Sequence, residues 1–578
     1  MAYVDYNNKD DYRKVGSFVG FVILICWAAG YWSFYFWCNF FFKISSKGGF
    51  ELGNHLDEVL DHGFLFLGIA AVVVIYGLAK SSHQEEQTVL KEEEQKEGEL
   101  LNTAVAHLAV KTYPGFNGLA LGISTGMLAD RSHYGGLSRG TNVFLKPADV
   151  CKNIWIGGGV GGGKTTRFIN PILHQICAQD CSALIFDIKG DFRREVDYIA
   201  KRLGRSYRVI GDGGLTLNLF RGCTPEVAAS YLKSCFIASG SASGDGSFWA
   251  ETATNYCRNI MMLIRLCHGD YSIAGLADLV FSESKRMEAL KAAREREQAG
   301  EMDAREQRVW NAVLGYFVEA VAKWDDKFRG NVQATCEAVL NPFVSPDMVD
   351  AFSIESQQGE ADLYDLLNKQ EMFLINLPRH KFGANGARFA YLLIKLRFFT
   401  MMTERRARPE LNQDRYCAFL CDEYQTIVDS VSDVDFWDKS RSSKCFGVLS
   451  MQGYSSLVQA VGNPNAAAAI MQNWRQRAIF RTEDAASIEL FQKLLGQIDV
   501  HATSVSHGES VTESFSGAGG SSVSISESAG QSTGIQQQHL FNANDFRKLD
   551  ARFALFIGNI GDKAADDVLD IQPLFVPE

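Results

Sequence analysis

The chain has 578 residues, of which 46% are hydrophobic and 22% charged, so its composition is that of a globular protein long enough for about three or four domains. Its formal net charge of −11 argues against a protein that coats nucleic acid with its whole surface, although a local basic channel within an acidic body stays open. The thirteen cysteines show no Cys-x-x-Cys spacing, which favours reduced, buried thiols over a metal site or a disulfide framework.

Two uncharged runs near the start of the chain predict a transmembrane hairpin within residues 1–80. A helix over residues 15–42 would rise about 42 Å, more than the roughly 30 Å hydrocarbon core of a bilayer. A helix over residues 63–79 would rise about 26 Å, at the short end of what can span, and a buried soluble helix is the alternative for this run. The loop at 43–62 carries fewer basic residues than its flanks, so the positive-inside rule favours cytoplasmic termini.

Residues 81–150 are predicted to connect this hairpin to the rest of the protein. The stretch at 81–99 is dense in Glu and Gln, which is typical of a solvated helix that continues into the cytosol. From about residue 100, apolar runs alternate with Gly-rich turns, and this pattern predicts short strands that lead into a core.

A glycine-rich stretch at 158–165 matches the G-x-x-x-x-G-K-[ST] pattern of a phosphate-binding loop. It follows a strand-like run at 154–156 and precedes a helix-compatible run at 167–177. Nucleotide phosphates carry dense negative charge, so backbone N–H groups must crowd around them, and residues without side chains permit this. A flexible Gly-rich turn is the alternative, but it does not explain why the Lys-Thr pair falls between strand and helix.

This loop predicts a binding site for ATP and Mg²⁺. The ammonium of Lys164 can reach the β- and γ-phosphate oxygens, and the Thr165 hydroxyl is suited to ligate Mg²⁺. The positive end of the following helix adds to the attraction for phosphate. The predicted nucleotide-binding residues are Gly158, Gly161, Gly163, Lys164, Thr165 and Thr166.

Strand-like and helix-like segments alternate around the loop and predict an α/β fold. The run Ala183 to Asp187 is apolar and ends in a carboxylate, and the run at 207–210 resembles another strand. Such alternation predicts a parallel sheet covered by helices, with ligands at the carboxyl ends of the strands. We assign residues 151–222 to the first half of a nucleotide-binding domain and residues 344–578 to its second half.

Residues 223–343 interrupt this domain with long helix-compatible segments and no convincing strand, so we predict an inserted all-α domain. Its most charged part, residues 285–308, alternates in sign as a solvated helix face does. A DNA-binding patch is the less favoured interpretation of that segment.

The second half of the nucleotide site is predicted at the end of a later strand. The apolar run at 416–421 ends in Asp422 and Glu423, and a P-loop ATPase needs such a pair on a strand near its phosphate loop. Asp422 would hold the water shell of Mg²⁺, and Glu423 would polarise the attacking water. An apolar run ending in Asp-Glu is weak alone, but here it accompanies a complete phosphate loop.

Taken together, these motifs resemble the coupling proteins of type IV secretion, the TraD/TraG/TrwB family. The motifs that carry the resemblance are Gly158 to Thr165, Phe186 to Asp191, Phe248 to Glu251, Asp422 to Tyr424, Lys439 to Arg441 and Ser450 to Gly453. The resemblance covers nearly the whole chain and implies a RecA-like P-loop NTPase core with an inserted all-α domain and a two-helix membrane anchor. Family members are hexameric ATPases of the bacterial inner membrane, related to the FtsK and HerA motors.

The resemblance also implies partners. It predicts a homo-hexamer whose loop at 43–62 is periplasmic, and contact with components of a type IV secretion channel. The substrate would be DNA bound to a relaxase, or a protein, recruited directly or through a separate adaptor.

The resemblance gives roles to two further residues. Arg441 occupies the position of an arginine finger that reaches the neighbouring subunit's γ-phosphate, and Gln452 that of a γ-phosphate sensor. A guanidinium suits developing phosphoryl charge, but Arg441 as a plain surface cation stays open. Asn473, Arg475 and Arg477 are alternative candidates for the subunit interface.

One segment departs from a plain motor. Residues 503–538 are rich in Ser, Gly, Gln and Thr and nearly free of large apolar side chains. Burial cannot offset the entropy of ordering such a segment, so we predict a flexible or edge-hairpin excursion.

Three functions stay open on the sequence alone. The first is a coupling ATPase that engages DNA or nucleoprotein for conjugation. The second is a receptor for protein-only effector secretion, which the acidic balance mildly favours. The third is an FtsK-like DNA-segregation translocase, which the large all-α insertion fits poorly. An ABC transporter subunit is disfavoured because no Leu-Ser-Gly-Gly-Gln-type signature lies between the two nucleotide motifs.

Overall fold

The computed structural model describes residues 115–131, 136–241, 246–269, 271–352, 359–516 and 520–577. The predicted membrane spans at 15–42 and 63–79 lie outside these residues, and so does the charged stretch at 81–99. Within the described ranges, no helix is both long enough and apolar enough to cross a membrane.

The strands of the described chain lie on both sides of a helical region. In chain order they are β1 (Leu119–Ser124), β2 (Asn142–Leu145), β3 (Ile154–Gly157), β4 (Cys181–Asp187), β5 (Arg208–Gly211), β6 (Met372–Asn376), β7 (Tyr416–Cys421), β8 (Cys445–Ser450), β9 (Gln476–Ile479), β10 (Gln497–Ser516), β11 (Gly520–His539), β12 (Phe553–Ile557), β13 (Asn559–Ile560), β14 (Lys563–Ala564) and β15 (Asp567–Asp570).

Eleven of these described strands form one sheet, in the lateral order β2-β1-β15-β12-β9-β3-β8-β7-β4-β6-β5. The seven from β9 to β5 run parallel to one another. In β3, β4, β6 and β8 every residue is buried, because helices cover both faces of the sheet and continuous apolar runs suit such strands. The carboxyl ends of the seven strands therefore meet at one edge.

The other four strands extend the parallel sheet on one side as an antiparallel flank, which the sequence analysis did not predict. β12, β15, β1 and β2 each pair antiparallel with their neighbours. The small hairpin of β13 and β14 joins β12 to β15, a connection too short for the crossover that parallel neighbours need. The fold is therefore mixed α/β, with a parallel centre and an antiparallel flank.

Helices fill the described chain between and around these strands. They are α1 (Met127–Arg131), α2 (Pro147–Val150), α3 (Asn170–Cys177), α4 (Arg193–Arg202), α5 (Pro225–Phe236), α6 (Gly246–His268), α7 (Ile273–Phe281), α8 (Glu283–Gln298), α9 (Ala304–Gly315), α10 (Asp326–Leu340), α11 (Pro346–Phe352), α12 (Asp365–Asn368), α13 (Arg379–Phe382), α14 (Ala384–Glu404), α15 (Ser432–Lys439), α16 (Tyr454–Val461), α17 (Pro464–Asn473), α18 (Ala485–Leu495) and α19 (Ala543–Lys548).

Shorter helical turns adjoin these helices. Three are π-helical, at Lys164–Ile169, Ile237–Ser241 and Tyr316–Ala320, within the described residues. The 3₁₀ turns of the same residues are Val321–Lys323, Asn341–Val344, Arg405–Ala407, Tyr424–Thr426 and Ser440–Ser443.

The helices α5 to α11 form the region for which the sequence predicts an all-α domain. Side-chain caps start several of them: Thr224 accepts from the Val227 backbone, and Asp303 closes a capping box with Glu306. In the charged helix α8, Ala289 and Ala293 are its buried residues, which agrees with a mostly solvated surface. The last helix of the group ends at Phe352, beyond the predicted boundary at 343.

The serine-rich segment lies within a two-stranded antiparallel ribbon. β10 pairs with β11 along its full length, from Gln497 opposite His539 to Ser516 opposite Gly520. In the described residues the ribbon forms its own sheet, separate from the eleven-stranded one. Within the described part of the segment predicted at 503–538, the backbone groups that face the partner strand are therefore paired without an apolar core, and the outward-facing groups are left to solvent.

A buried ion pair ties α14 to α15, beside the turn that follows β7. Lys395 Nζ lies 2.5 Å from Asp433 Oδ2, and both side chains are 0% exposed. Asp433 also accepts hydrogen bonds from the Tyr424 hydroxyl and, at 3.0 Å, from Trp437 Nε1. Since a buried charge is costly unless it is paired and hydrogen-bonded, this cluster fixes Tyr424 relative to α15.

Candidate nucleotide-binding and hydrolysis site

The glycine-rich loop leaves β3 at the carboxyl edge of the sheet and forms a cradle of bare backbone. A Cβ atom on Gly158 would lie 2.8 Å from the Cβ of Phe480, so a side chain does not fit there. Gly163 has a φ of 85°, a left-handed conformation that favours glycine, and it directly precedes the helical turn that begins at Lys164. Gly161 is exposed at the outside of the loop. The loop therefore presents backbone N–H groups where a phosphate can approach.

Two neighbouring strands hold this loop in place. Gly158 N donates to the carbonyl of Gln452, just after β8, at 3.2 Å. Gly159 N donates to the carbonyl of Arg481, just after β9, at 2.9 Å. The side chain of Gln452 is exposed at this point, so the predicted sensor residue lies beside the loop in the same chain.

Lys164 lies inside the cradle. Its Nζ donates to the carbonyls of Gly158 at 2.6 Å and Gly159 at 3.1 Å, and the residue is only 9% exposed. Burial lowers the pKa of the ammonium, and the nearby carboxylates of Asp422 and Glu423 oppose that shift. The lysine is thus close to the edge where phosphates would bind.

The two threonines lie in the helical turn that begins at Lys164. The Thr166 hydroxyl donates to the carbonyl of Gly163 at 3.4 Å, and the Thr166 carbonyl accepts from Leu574 N at 2.7 Å. Thr165 is partly exposed on the first turn, where a hydroxyl can face a bound cation.

Asp422 and Glu423 follow β7 at the same edge. Asp422 Oδ1 accepts from Glu423 N at 3.0 Å, and Gln425 Nε2 donates to Glu423 Oε2. Glu423 has a φ of 59°, an uncommon conformation for a residue with a side chain. Strain of this kind persists only where the surroundings fix the backbone. Here the next residue, Tyr424, is buried and holds the chain in place.

Lys189 belongs to this site, although the sequence prediction gave it no role. Its Nζ lies 2.7 Å from Glu423 Oε1 and 3.3 Å from Asp422 Oδ2. Burial alone would lower the pKa of Lys189, but its hydrogen bond to Glu423 and the two carboxylate charges outweigh it and raise the pKa. In the sequence, the sign of such a role is the Asp-Ile-Lys-Gly-Asp stretch that begins at the last residue of β4. This strand pairs with β7, the strand that precedes Asp422.

Arg441 lies at the opposite edge of the sheet. It is exposed in the turn Ser440–Ser443, which directly precedes β8, whereas Gln452 follows that strand. Because β8 runs parallel to β3, Arg441 lies at the amino edge, away from the phosphate loop of its own chain. The structure therefore brings together the other predicted site residues but not Arg441. Of the alternative candidates, Arg477 lies within β9 and donates from Nη2 to the Met471 carbonyl at 2.8 Å.

The donor set suits Mg²⁺ bound together with a nucleotide. The described residues contain no cluster of three His, Cys, Asp or Glu side chains that would hold a metal by themselves. Mg²⁺ is usually bound through one or two carboxylates together with substrate phosphates, and Asp422, which is close enough to Lys164 for their charges to interact, offers that combination.

The fold has solved relatives. A bacterial conjugative coupling protein, TrwB without its first 70 residues, matches with a TM-score of 0.52 and 13% identity over 81% of this chain and 96% of its own. TrwB in complex with the GTP analogue GDPNP matches with a TM-score of 0.52 and 12% identity, over 81% and 97% of the chains. TrwB with ADP and Mg²⁺ matches with a TM-score of 0.51 and 13% identity, over 81% and 96%.

At the level of sequence, no curated protein matches the chain. Residues 141–529 match the profile of the type IV secretion-system coupling protein DNA-binding domain, which covers more than half of the chain and spans the phosphate loop, the all-α region and the Asp-Glu pair. The chain belongs to the family of type IV secretion-system coupling proteins.

Proposed function

We propose that this protein is an ATPase that couples ATP hydrolysis to the recruitment or translocation of DNA or nucleoprotein in a type IV secretion or conjugation system. The observation that carries the proposal is the meeting of Lys164, Asp422 and Glu423 at one edge of the parallel sheet, beside a glycine cradle. That arrangement holds a phosphate-binding cation and a carboxylate for water within one site, as hydrolysis requires.

Each residue contributes a separate step. The backbone N–H groups of Gly161 and Gly163 and the ammonium of Lys164 bind the β- and γ-phosphates, while Gly158 lets the loop pack against Phe480 and Thr166 supports the loop. Thr165 and Asp422 would hold Mg²⁺, which screens phosphate charge when bound.

Hydrolysis itself needs a positioned water. Glu423 accepts a hydrogen bond from the attacking water, and its strained backbone and Gln425 fix the direction of the carboxylate. Gln452, whose carbonyl already holds Gly158, presents its side-chain amide to the γ-phosphate.

Arg441 supports an assembly. In its own chain this side chain is at the wrong edge of the sheet to reach the phosphate loop. In a ring, the amino edge of one subunit can face the carboxyl edge of the next, and a guanidinium then supplies the missing positive charge. We propose a homo-hexamer with its sites between subunits.

The membrane and the channel complete the proposal. The uncharged runs at 15–42 and 63–79 would anchor the ring in the bacterial inner membrane, with both termini cytoplasmic and a short periplasmic loop. Channel components would then lie next to the anchor. The TrwB structures are described as those of a conjugative or plasmid coupling protein, which favours DNA as the cargo.

The test of hydrolysis uses Glu423→Gln in the full-length protein. This variant should bind ATP with wild-type affinity but hydrolyse it at least about a hundredfold more slowly, because the amide is a poor base. Nucleotide affinity by calorimetry and phosphate release together check this. Hydrolysis at the wild-type rate would remove Glu423 from the mechanism.

A second candidate, a receptor for protein-only secretion, draws on the net charge of −11. The two differ in salt dependence, because DNA binding releases counterions and weakens steeply as salt rises. Binding and ATPase stimulation are measured with single-stranded DNA, duplex DNA and no DNA from about 50 to 200 mM salt. Absence of both effects would favour the protein cargo.

A further inference from the structure

Lys189 is a charged residue of the site that has no part in the proposed binding of phosphates and Mg²⁺ or in hydrolysis. Its ammonium bridges both carboxylates, at 2.7 Å from Glu423 and 3.3 Å from Asp422. The ammonium of Lys164 is instead hydrogen-bonded to loop carbonyls. Among the described ion pairs, Lys189 is thus the partner that both carboxylates share.

The backbone under Lys189 is firmly held. Asp187, two residues earlier, accepts hydrogen bonds from Gly190 N at 2.7 Å and from Phe192 N and Arg193 N at 3.2 Å each. Its own carbonyl accepts from the buried Tyr391 hydroxyl at 2.6 Å. The turn therefore has a fixed shape, and it presents the Lys189 side chain towards the end of the neighbouring strand β7.

The ammonium end of the Lys189 side chain can move, whereas the backbone that carries it is fixed. The Lys189 side chain is 46% exposed, whereas those of Asp422 and Glu423 are 12% and 13% exposed. A four-carbon stem with a solvated ammonium changes rotamer at little cost. Lys189 can consequently leave the carboxylates without disturbing the turn that carries it.

Charge balance gives this movement a consequence. Two lysines face two carboxylates, so the cluster is neutral before any ligand arrives. A free divalent cation approaching Asp422 meets the ammonium of Lys189 at contact distance, where repulsion between like charges is strong even with partial solvent screening. A nucleotide brings several negative charges and offers that ammonium a new partner.

We propose that Lys189 is a built-in counter-ion of the metal site: it occupies Asp422 and Glu423 against free divalent cations and releases them when nucleotide phosphates arrive. The inference rests on the proposed function, because it assigns Asp422 to Mg²⁺. Lys189 is a positioning residue that makes the metal enter together with its nucleotide.

The test measures binding of Mn²⁺ alone to the full-length protein by electron paramagnetic resonance, with no nucleotide present. Lys189→Met should bind Mn²⁺ at the site at least about tenfold more tightly than wild type, because the competing cation is gone. Adding Asp422→Asn to Lys189→Met should abolish that gain. Lys189→Arg, which keeps the charge, should remain within about threefold of wild type.

The matched control is Lys493→Met, which removes the lysine of an exposed ion pair with Glu489 (Nζ to Oε1, 2.6 Å) on α18. It should leave Mn²⁺ affinity unchanged. Equal Mn²⁺ affinity in wild type and Lys189→Met would overturn the inference, as would a gain that survives Asp422→Asn. Lys189→Gln is made in parallel and should agree with the Met variant, so a folding defect in one does not decide the outcome.

The same preparations separate this inference from the proposed function. Wild-type protein without ATP hydrolysis would contradict the proposed function, while the Mn²⁺ comparison would still report on Lys189. Active wild-type protein with unchanged Mn²⁺ affinity in Lys189→Met would contradict only the counter-ion role.

Discussion

The two edges of the parallel sheet carry different charged groups that could act on a nucleotide. The carboxyl edge gathers Lys164, Lys189, Asp422 and Glu423, which provide a cradle, two ammonium groups and two carboxylates. The amino edge offers an exposed Arg441 on a tight turn. Each edge holds a part of a hydrolysis site that the other lacks, which is the arrangement expected when neighbouring subunits complete each other's sites.

The largest effect on ATP hydrolysis should come from removing Lys164 from the carboxyl edge. Lys164→Ala takes away the ammonium that would meet the β- and γ-phosphates, so ATP hydrolysis should fall to background and nucleotide affinity should drop. Phosphate release and a fluorescent-nucleotide titration measure the two losses. Persistent hydrolysis would mean that the carboxyl edge is not the site.

Removing Arg441 from the amino edge should lower ATP hydrolysis almost as much, because this residue would act on the site of a neighbouring subunit. Arg441→Ala should lower the hydrolysis rate about a thousandfold while leaving nucleotide affinity near wild type, because a finger residue acts in the transition state. Mixing Arg441→Ala with Lys164→Ala protein should restore part of the activity, since a mixed ring contains some sites with both residues. The exposed Arg552, paired with Asp570 at 2.6 Å, gives the control variant Arg552→Ala. No rescue in mixtures would argue against action between subunits.

The buried ion pair between α14 and α15 lies beside the turn that follows β7 at the carboxyl edge, and breaking it should cost stability. Asp433→Asn leaves the ammonium of Lys395 buried without its counter-ion, which costs about 3–5 kcal/mol. The double variant Lys395→Met with Asp433→Leu should lose clearly less, because no charge is left unpaired. Urea unfolding of the three proteins gives the comparison. Equal losses in the single and double variants would show that the cost does not come from leaving the ammonium of Lys395 unpaired.

The smallest expected effect concerns pH. Burial lowers the pKa of His174, on α3 behind the phosphate loop, from its usual 6.5 to about 4. The unfolded chain therefore takes up a proton on this residue between pH 6.5 and about 4 while the folded chain stays neutral, so stability falls as pH drops through that window. From pH 7.5 to pH 5 the loss should be about 2 kcal/mol.

The check is to measure unfolding free energies at both pH values in wild type and His174→Leu. The variant lacks the proton uptake, so its change between the two pH values should be smaller by that amount. The same change in both proteins would show that the pKa of His174 hardly differs between the folded and the unfolded chain.

The sequence sufficed for those parts of the site that follow strand ends. Asp422 and Glu423 come directly after an apolar run, and parallel strands place such residues at one edge. The ion pairs of Lys189 were out of reach, because they join positions more than 230 residues apart and depend on β4 and β7 being neighbours. The pattern of the motif indicates polar residues at a strand end, but it gives no lateral order of strands.

The antiparallel flank was missed for a related reason. β1 and β2 are short and lie far in sequence from β15, so hydrophobic periodicity contains no sign that they join one sheet. The position of Arg441, in contrast, follows from simple reasoning. A residue that precedes a parallel strand lies at the opposite edge from one that follows it, so its distance from Gln452 was implicit in the sequence.

The flank also affects when the protein can fold. β15 sits between β1 and β12, and Asp567 accepts hydrogen bonds from Gly126 N at 2.6 Å and Leu128 N at 2.8 Å, across more than 430 residues. During synthesis β1 and β2 leave the ribosome long before β15, the other neighbour of β1, has been made. The eleven-stranded sheet therefore closes only after β15 has emerged, and until then the edge of β1 that β15 covers is unpaired.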